Sequence, residues 1–144
     1  MRKTASIVGY ILMVAGIVPL LMLHKLFSSL PVVIVIQGAA VMLMIWARIT
    51  FGRRSFHFAA NPTAGGLVTD GPYKYLRHPI YTSVCLFCFT GIAAHLSRVT
   101  LALGLVIVAG AVLRITCEES LLPLQYPEYR DYAKHTWRMI PFVY

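Results

Sequence analysis

Four apolar stretches, each close to the length of a membrane-crossing helix, dominate this sequence. They cover residues 6–23, 30–47, 79–96 and 99–117. A helix needs roughly 20 apolar residues to cross the hydrocarbon layer, and none of the stretches shows the strict alternation that is typical of a membrane barrel. The sequence therefore predicts an all-α integral membrane protein with about four transmembrane helices.

The composition excludes a water-soluble fold. Of the 144 residues, 58% are hydrophobic and 12% are charged, too few polar side chains to cover a soluble globule of this size. The first apolar stretch follows Arg2 and Lys3 and so resembles a secretory signal. We interpret it as a retained helix, because it is longer than a signal core and no A-x-A cleavage site follows it.

The distribution of basic residues predicts the orientation. Of the 13 lysines and arginines, only Lys25 and Arg98 fall in the two short turns between helices. The positive-inside rule then places both termini and the middle loop in the cytoplasm, as in a prokaryotic inner membrane. The net charge of +8 is explained by anionic lipid headgroups, and we expect no nucleic-acid partner.

The connections predict two helical hairpins joined by a long cytoplasmic loop. Short turns follow the first and third stretches, whereas residues 48–78 form a connection far longer than two helices need. Because this loop carries several aromatic residues and turn formers, we expect it to be structured. In the tail, residues 118–144, we expect helix four to break near Pro123 or Pro127 and an interfacial helix to follow. The whole chain forms a single membrane domain.

The first candidate site lies where the loop enters the third helix. Arg77 and His78 stand at its mouth, and Pro79 suits its first turn because the missing N–H has no helical partner there. The positive end of this helix is suited to a carboxylate or phosphate. The alternative is that both side chains simply reach lipid headgroups.

The second candidate site is the end of the fourth helix. Arg114 and Glu118 are four residues apart and share one helical face, and Glu119 adds a second carboxylate. An arginine inside a membrane helix costs on the order of 3 kcal/mol and is by default functional or half of an ion pair. A self-contained Arg114–Glu118 pair is the alternative. We predict no metal site, and we interpret Cys85, Cys88 and Cys117 as packing residues.

Together these segments resemble the isoprenylcysteine carboxyl methyltransferase and phospholipid methyltransferase group. The resemblance covers roughly the C-terminal 80 residues. It is carried by the segments 65–73 (GGLVTDGPY) and 77–81 (RHPIY), by Arg114 with Glu118-Glu119, and by the tail residues Tyr129, Tyr132 and Ile140-Pro141-Phe142.

The resemblance implies a membrane-embedded methyltransferase that uses S-adenosylmethionine. Its implied cofactor-binding residues are Gly65, Gly66, Leu67, Val68, Tyr73, His78, Pro79, Ile80, Tyr81 and Glu118. The arginine matching Arg114 faces the acceptor, and we assign it the catalytic role. The chain is compact like the prokaryotic relatives, and Phe58 stands near a polar cofactor contact of the eukaryotic enzymes. The resemblance thus implies a lipophilic acceptor that enters from the membrane lipid: a prenylcysteine-like carboxylate or, as the departures from the eukaryotic enzymes favour, another lipid-like molecule.

Two other functions compete with this one. Membrane reductases of the steroid-reductase type carry a similar R-H-P-x-Y motif and use a nicotinamide cofactor. In that group Asn usually precedes the motif's tyrosine and Gly-Glu soon follows, whereas here Ile80 precedes Tyr81 and Thr82-Ser83 follow. A small non-enzymatic membrane protein with a headgroup-binding loop is the third possibility, but it would not need Arg114 and two carboxylates at one helix end.

Overall fold

The computed structural model describes residues 2–52 and 66–143. The described helices are α1 (Arg2–Met22), α2 (Pro31–Phe51), a 3-10 helix (Gly71–Lys74), α3 (Pro79–Ala94), α4 (Arg98–Gln125) and α5 (Tyr129–Lys134). By length and composition α1, α2 and α4 are able to cross a membrane, and α3 is a shorter apolar helix. Many large apolar side chains of α1 and α2 point outward, as a lipid solvent allows. The predicted all-α membrane fold is confirmed.

The helices that pack most extensively are not neighbours in the chain. The chain does fold back after α1 and after α3, but α1 lies against α4 and α2 lies against α3. Glycines explain the first of these contacts. A Cβ atom added to Gly9 would lie 2.8 Å from the carbonyl oxygen of Gly110, so the two backbones approach as closely as small residues permit.

A buried glutamine fastens α2 to α3 at the end of the bundle away from the candidate site. The Gln37 side-chain nitrogen donates to the carbonyl oxygens of Leu26 at 2.8 Å and Phe87 at 3.2 Å. Because an apolar surrounding offers no water as a substitute, these bonds fix the turn after α1 against both helices. Ile92 and Ile107 belong to the apolar core beside them.

One predicted helix end agrees with the structure and another shifts. Helix α4 was expected to break near Pro123 or Pro127, and it runs through Pro123 and ends at Gln125, just before Pro127. The continuation is possible because partners from other segments surround Glu118 and Glu119. Helix α2, which precedes the long connection, was expected to end at residue 47 but extends to Phe51.

The tail folds back onto the entrance of α3. Leu76 and Trp137 form a parallel bridge, the Arg77 N–H donates to the Trp137 carbonyl at 2.7 Å, and the His78 N–H donates to the Arg138 carbonyl at 3.0 Å. One turn into α3, the Thr82 hydroxyl donates to the Met139 carbonyl at 2.9 Å. The predicted tail helix is present as the short α5, and the segment after it becomes part of the site.

Candidate functional site

The first turn of α3 meets the last turns of α4, and this contact brings the two predicted site segments together. The Tyr81 hydroxyl accepts a hydrogen bond from Arg114 Nε at 2.7 Å and donates one to the Glu118 carboxylate. His78 Nδ1 lies 3.6 Å from Glu118, and His78 Nε2 lies 3.1 Å from Glu119. Residues about 40 positions apart in the sequence therefore form one polar cluster.

Arg114 is held from several sides although it lies among membrane helices. Its side chain is 7% exposed. Besides the Tyr81 bond, Nη1 lies 3.4 Å from the Ser6 carbonyl, and the guanidinium group sits 5.6 Å from the Tyr10 ring centre and 5.7 Å from that of Tyr81. These hydrogen bonds and aromatic faces offset the cost of removing the charge from water.

The ion pair of Arg114 and Glu118 exists, but it is not self-contained. The Nη2–Oε1 distance is 3.5 Å, longer than either hydrogen bond through Tyr81. Glu118 also keeps 24% of its side chain exposed, compared with 11% for Glu119. The isolated-pair alternative therefore does not describe this cluster.

Glu119 is the shared partner of basic side chains from two other segments, the loop before α3 and the tail. Its Oε1 lies 3.1 Å from His78 Nε2 and 3.4 Å from Arg77 Nε, and its Oε2 accepts a 2.8 Å bond from Arg138 Nε. Arg138 was not predicted as a site residue, since no local pattern connects a tail arginine to a helix residue 19 positions earlier. The sequence features that could have indicated Arg138 are its charge and its position just before the Ile140-Pro141-Phe142 motif.

Three tyrosines build the wall between the loop and the tail. Tyr73 is buried against the Phe51 ring, and burial, then the nearby Tyr132 and Glu118, raise its pKa. Tyr132 donates its hydroxyl hydrogen to the Tyr73 carbonyl at 2.6 Å, and burial raises the pKa of Tyr132 to about 12. Burial and the Glu119 carboxylate raise the pKa of Tyr129. All three rings stay neutral at physiological pH.

The remaining predicted cofactor contacts divide into two groups. Pro79 is buried at the first turn of α3, and Ile80 beside it accepts the Ser83 hydroxyl hydrogen bond at 2.8 Å. Gly66 adopts a positive φ of 85°, and Leu67 and Val68 are half-buried, whereas Gly65 lies outside the described residues, as does Phe58. The role of all these residues in cofactor binding stays a prediction.

Metal ligands do not gather in the part of the chain that the structure describes. Within residues 2–52 and 66–143, no three histidine, cysteine or acidic side chains are arranged to hold a metal ion. Cys85 and Cys88 have C-x-x-C spacing on α3, but both are free thiols, and Cys88 packs in the apolar core. Cys117 is likewise free and buried.

Most of the site lies in the part of the chain that matches a known protein family. The sequence profile of the family described as phospholipid methyltransferase matches residues 30–129, a range that contains α2, α3, α4 and the polar cluster except for the tail. The chain belongs to the phospholipid methyltransferase family. This family is a family of methyltransferases, and its membership confirms the resemblance found in the sequence.

Two curated relatives bear names from metal resistance. The chain is 40% identical over 80 residues to the nickel-cobalt-cadmium resistance protein NccN of Alcaligenes xylosoxydans xylosoxydans, an alignment that covers 52% of this chain and 36% of the relative. It is 36% identical over 80 residues to the cobalt-zinc-cadmium resistance protein CzcN of Cupriavidus metallidurans, covering 52% and 35%. The alignment spans about a third of the length of these relatives. No solved structure matches the chain significantly.

Proposed function

We propose that this protein is an S-adenosylmethionine-dependent methyltransferase that acts on a lipophilic acceptor in the membrane. The observation that carries the proposal is the meeting of His78 with Glu118 beside Arg114, in a chain of the phospholipid methyltransferase family. Methyl transfer from a sulfonium needs alignment and exclusion of water more than an acid or a base. A cluster of orienting charges suits that demand.

The donor groups of the cluster fit the amino-acid end of the cofactor. Glu118 offers a partly open carboxylate for the ammonium group, and His78 at the start of α3 offers an imidazole for the carboxylate. Tyr73, which is buried against the Phe51 ring, would supply an aromatic wall for the adenine ring. Ammonium, carboxylate and ring thus each find a complementary group.

Arg114 would orient the acceptor. When bound, S-adenosylmethionine supplies a methyl group for a single displacement in which the acceptor atom forms the new bond to carbon and the sulfur keeps the electron pair. Arg114 Nη1 lies 3.4 Å from the Ser6 carbonyl oxygen, and Nη2 lies 3.5 Å from Glu118 Oε1. In this proposal the 2.7 Å bond to Tyr81 keeps Nε in place, and the other two guanidinium nitrogens would face the acceptor oxygen.

An apolar cavity between α1, α2 and α3 could take the apolar part of a lipophilic acceptor. It occupies about 260 Å³ and runs from Leu26 and Phe87, toward the end of the bundle away from the site, to Ser83 and Val84. Val84 follows Tyr81 by three residues, so the cavity begins about one helical turn from the Tyr81–Arg114 pair. An acceptor could place its apolar part there and its reactive end at Arg114.

The other candidate enzyme, a nicotinamide-dependent reductase, has less support. The family of the chain is one of methyltransferases, and the residues after Tyr81 depart from the reductase pattern. Resistance to nickel, cobalt, zinc or cadmium, taken from the names of the relatives, is a second candidate role. Survival of metal-sensitive cells would test it, with the wild-type chain and the Arg114→Lys variant expressed at equal levels. A role through methyl transfer predicts protection by the wild type only.

Calorimetry on the detergent-purified protein tests the main proposal. We expect S-adenosylmethionine to bind the wild-type protein, and we expect His78→Ala and Glu118→Ala each to weaken binding by about tenfold or more, because each loses a charge-assisted contact. His135→Ala and Glu128→Ala are matched controls, since both side chains are exposed on the tail. Binding that neither site variant changes would refute the assignment.

A further inference from the structure

Two adjacent carboxylates at the end of α4 have different surroundings. Glu118 is 24% exposed and faces Arg114, Tyr81 and Nδ1 of His78, whereas Glu119 is 11% exposed and faces Arg77, Nε2 of His78 and Arg138. Consecutive helical residues point about 100° apart, so one helix end can present the two carboxylates to two different sets of partners. The two carboxylates therefore meet different nitrogens of the His78 ring and otherwise have different partners.

The basic partners of Glu119 come from the loop before α3 and from the tail. His78 and Arg77 stand at the entrance of α3, and Arg138 lies in the segment that pairs with this entrance through the His78 N–H. Glu119 thus ties three segments together at one point. The backbone of His78 is held by the tail, and its imidazole is held by Glu119.

We propose that Glu119 is a positioning residue that orients the His78 imidazole for the carboxylate of the methyl donor. The inference rests on the proposed function. Glu119 occupies the Nε2 side of the ring at 3.1 Å, so Nδ1 is turned toward Glu118, where the amino-acid end of the donor would bind. Holding the ring in one orientation before the ligand arrives lowers the entropic cost of binding. Glu119 itself does not touch the ligand.

A pair of ligands that differ only in the carboxylate separates this role from general support of the fold. S-adenosylmethionine has the carboxylate, and decarboxylated S-adenosylmethionine lacks it. With Glu119→Gln we expect S-adenosylmethionine to bind roughly tenfold more weakly and the decarboxylated ligand to bind within about twofold of wild type. Glu128→Gln, on the exposed tail, is the matched control and should change neither.

A double variant gives the second test. If Glu119 acts through the imidazole, adding Glu119→Gln to His78→Ala should cause no further loss of S-adenosylmethionine binding. Additive losses, or equal weakening of both ligands by Glu119→Gln, would overturn the role of Glu119 while leaving the methyltransferase proposal in place. Failure of the wild-type protein to bind either ligand would overturn both.

A variant of the tail covers the case in which Glu119→Gln does not fold. Arg138→Gln removes the 2.8 Å bond that holds the other Glu119 oxygen, and Arg138 is 41% exposed, so the substitution is milder. We expect it to weaken S-adenosylmethionine about threefold, again with no effect on the decarboxylated ligand. An equal effect on the two ligands would count against the inference.

Discussion

The hydroxyl group of Tyr81 accepts a 2.7 Å hydrogen bond from Nε of Arg114, across the contact between α3 and α4. The same hydroxyl donates to the Glu118 carboxylate. One phenol group therefore links the buried arginine to the carboxylate that we assign to the cofactor. The direct contact between Arg114 Nη2 and Glu118 Oε1 is longer, at 3.5 Å, so the hydroxyl group bridges the two charged side chains.

Removal of the Tyr81 hydroxyl should destabilise the protein. Tyr81→Phe removes the 2.7 Å bond that the buried Nε of Arg114 donates, and loss of a partner for a buried donor costs about 1–3 kcal/mol. We expect a lower Tm in detergent, measured by circular dichroism. Tyr75→Phe is the control, because Tyr75 is 55% exposed. Equal Tm values for the two variants would contradict the importance of the link.

The close approach of α1 and α4 predicts that one methyl group added at their contact destabilises the protein. A Cβ atom at Gly110 would lie 2.5 Å from the carbonyl oxygen of Gly9, which is backbone and cannot move aside. We expect Gly110→Ala to cost about 1–3 kcal/mol in unfolding free energy. Gly38→Ala on α2 has no atom within 4 Å of the added carbon, and we expect it to be neutral or to stabilise by up to about 1 kcal/mol. Titration with a denaturing detergent would compare them.

The Tyr132 hydrogen bond to the loop predicts loss of stability at alkaline pH. Tyr132 has an ordinary pKa of 10.0 when unfolded and about 12 in the fold, so its contribution is fully present below pH 10.0 and is lost as the pH rises toward about 12. We expect the Tm to fall over this window. The fall should be shallower in Tyr132→Phe, which cannot ionise. A profile identical to that of wild type would show that Tyr132 does not contribute.

The distribution of basic residues predicts which end of the bundle faces the cytoplasm. Ser29 lies in the turn between α1 and α2, and Lys134 lies on α5, and both are exposed. In a chain without its three native cysteines, a membrane-impermeant maleimide should label Ser29→Cys in intact cells and Lys134→Cys only after permeabilisation. Labelling of Lys134→Cys in intact cells would reverse the orientation.

The helices were predictable because lipid imposes a simple condition. A segment that crosses it must be apolar and must satisfy its own backbone, so the stretches 30–47 and 79–96 were recognisable without knowledge of their partners. The prolines near residue 125 predicted where α4 ends, and it does end at Gln125. The end of α2 was less predictable, since the apolar stretch stops at residue 47 but the helix continues to Phe51.

The candidate site was predictable where its residues are close in sequence. The spacing of Arg114 and Glu118 on one helix face, and the place of His78 just before α3, indicated chemistry at these positions. Arg138 and the role of Glu119 as a shared partner were not indicated, since their contacts join segments that no local pattern connects.

The sequence by itself determined that this chain is a bundle of membrane helices with polar residues at one pair of helix ends, because hydropathy and helical spacing are local properties. Only the tertiary structure decided that α1 packs on α4, that α2 packs on α3, and that Tyr81 lies between Arg114 and Glu118. In an apolar solvent most faces of a helix are equally acceptable. The choice of partner therefore depends on the close fit of particular surfaces and on where buried charges find one another.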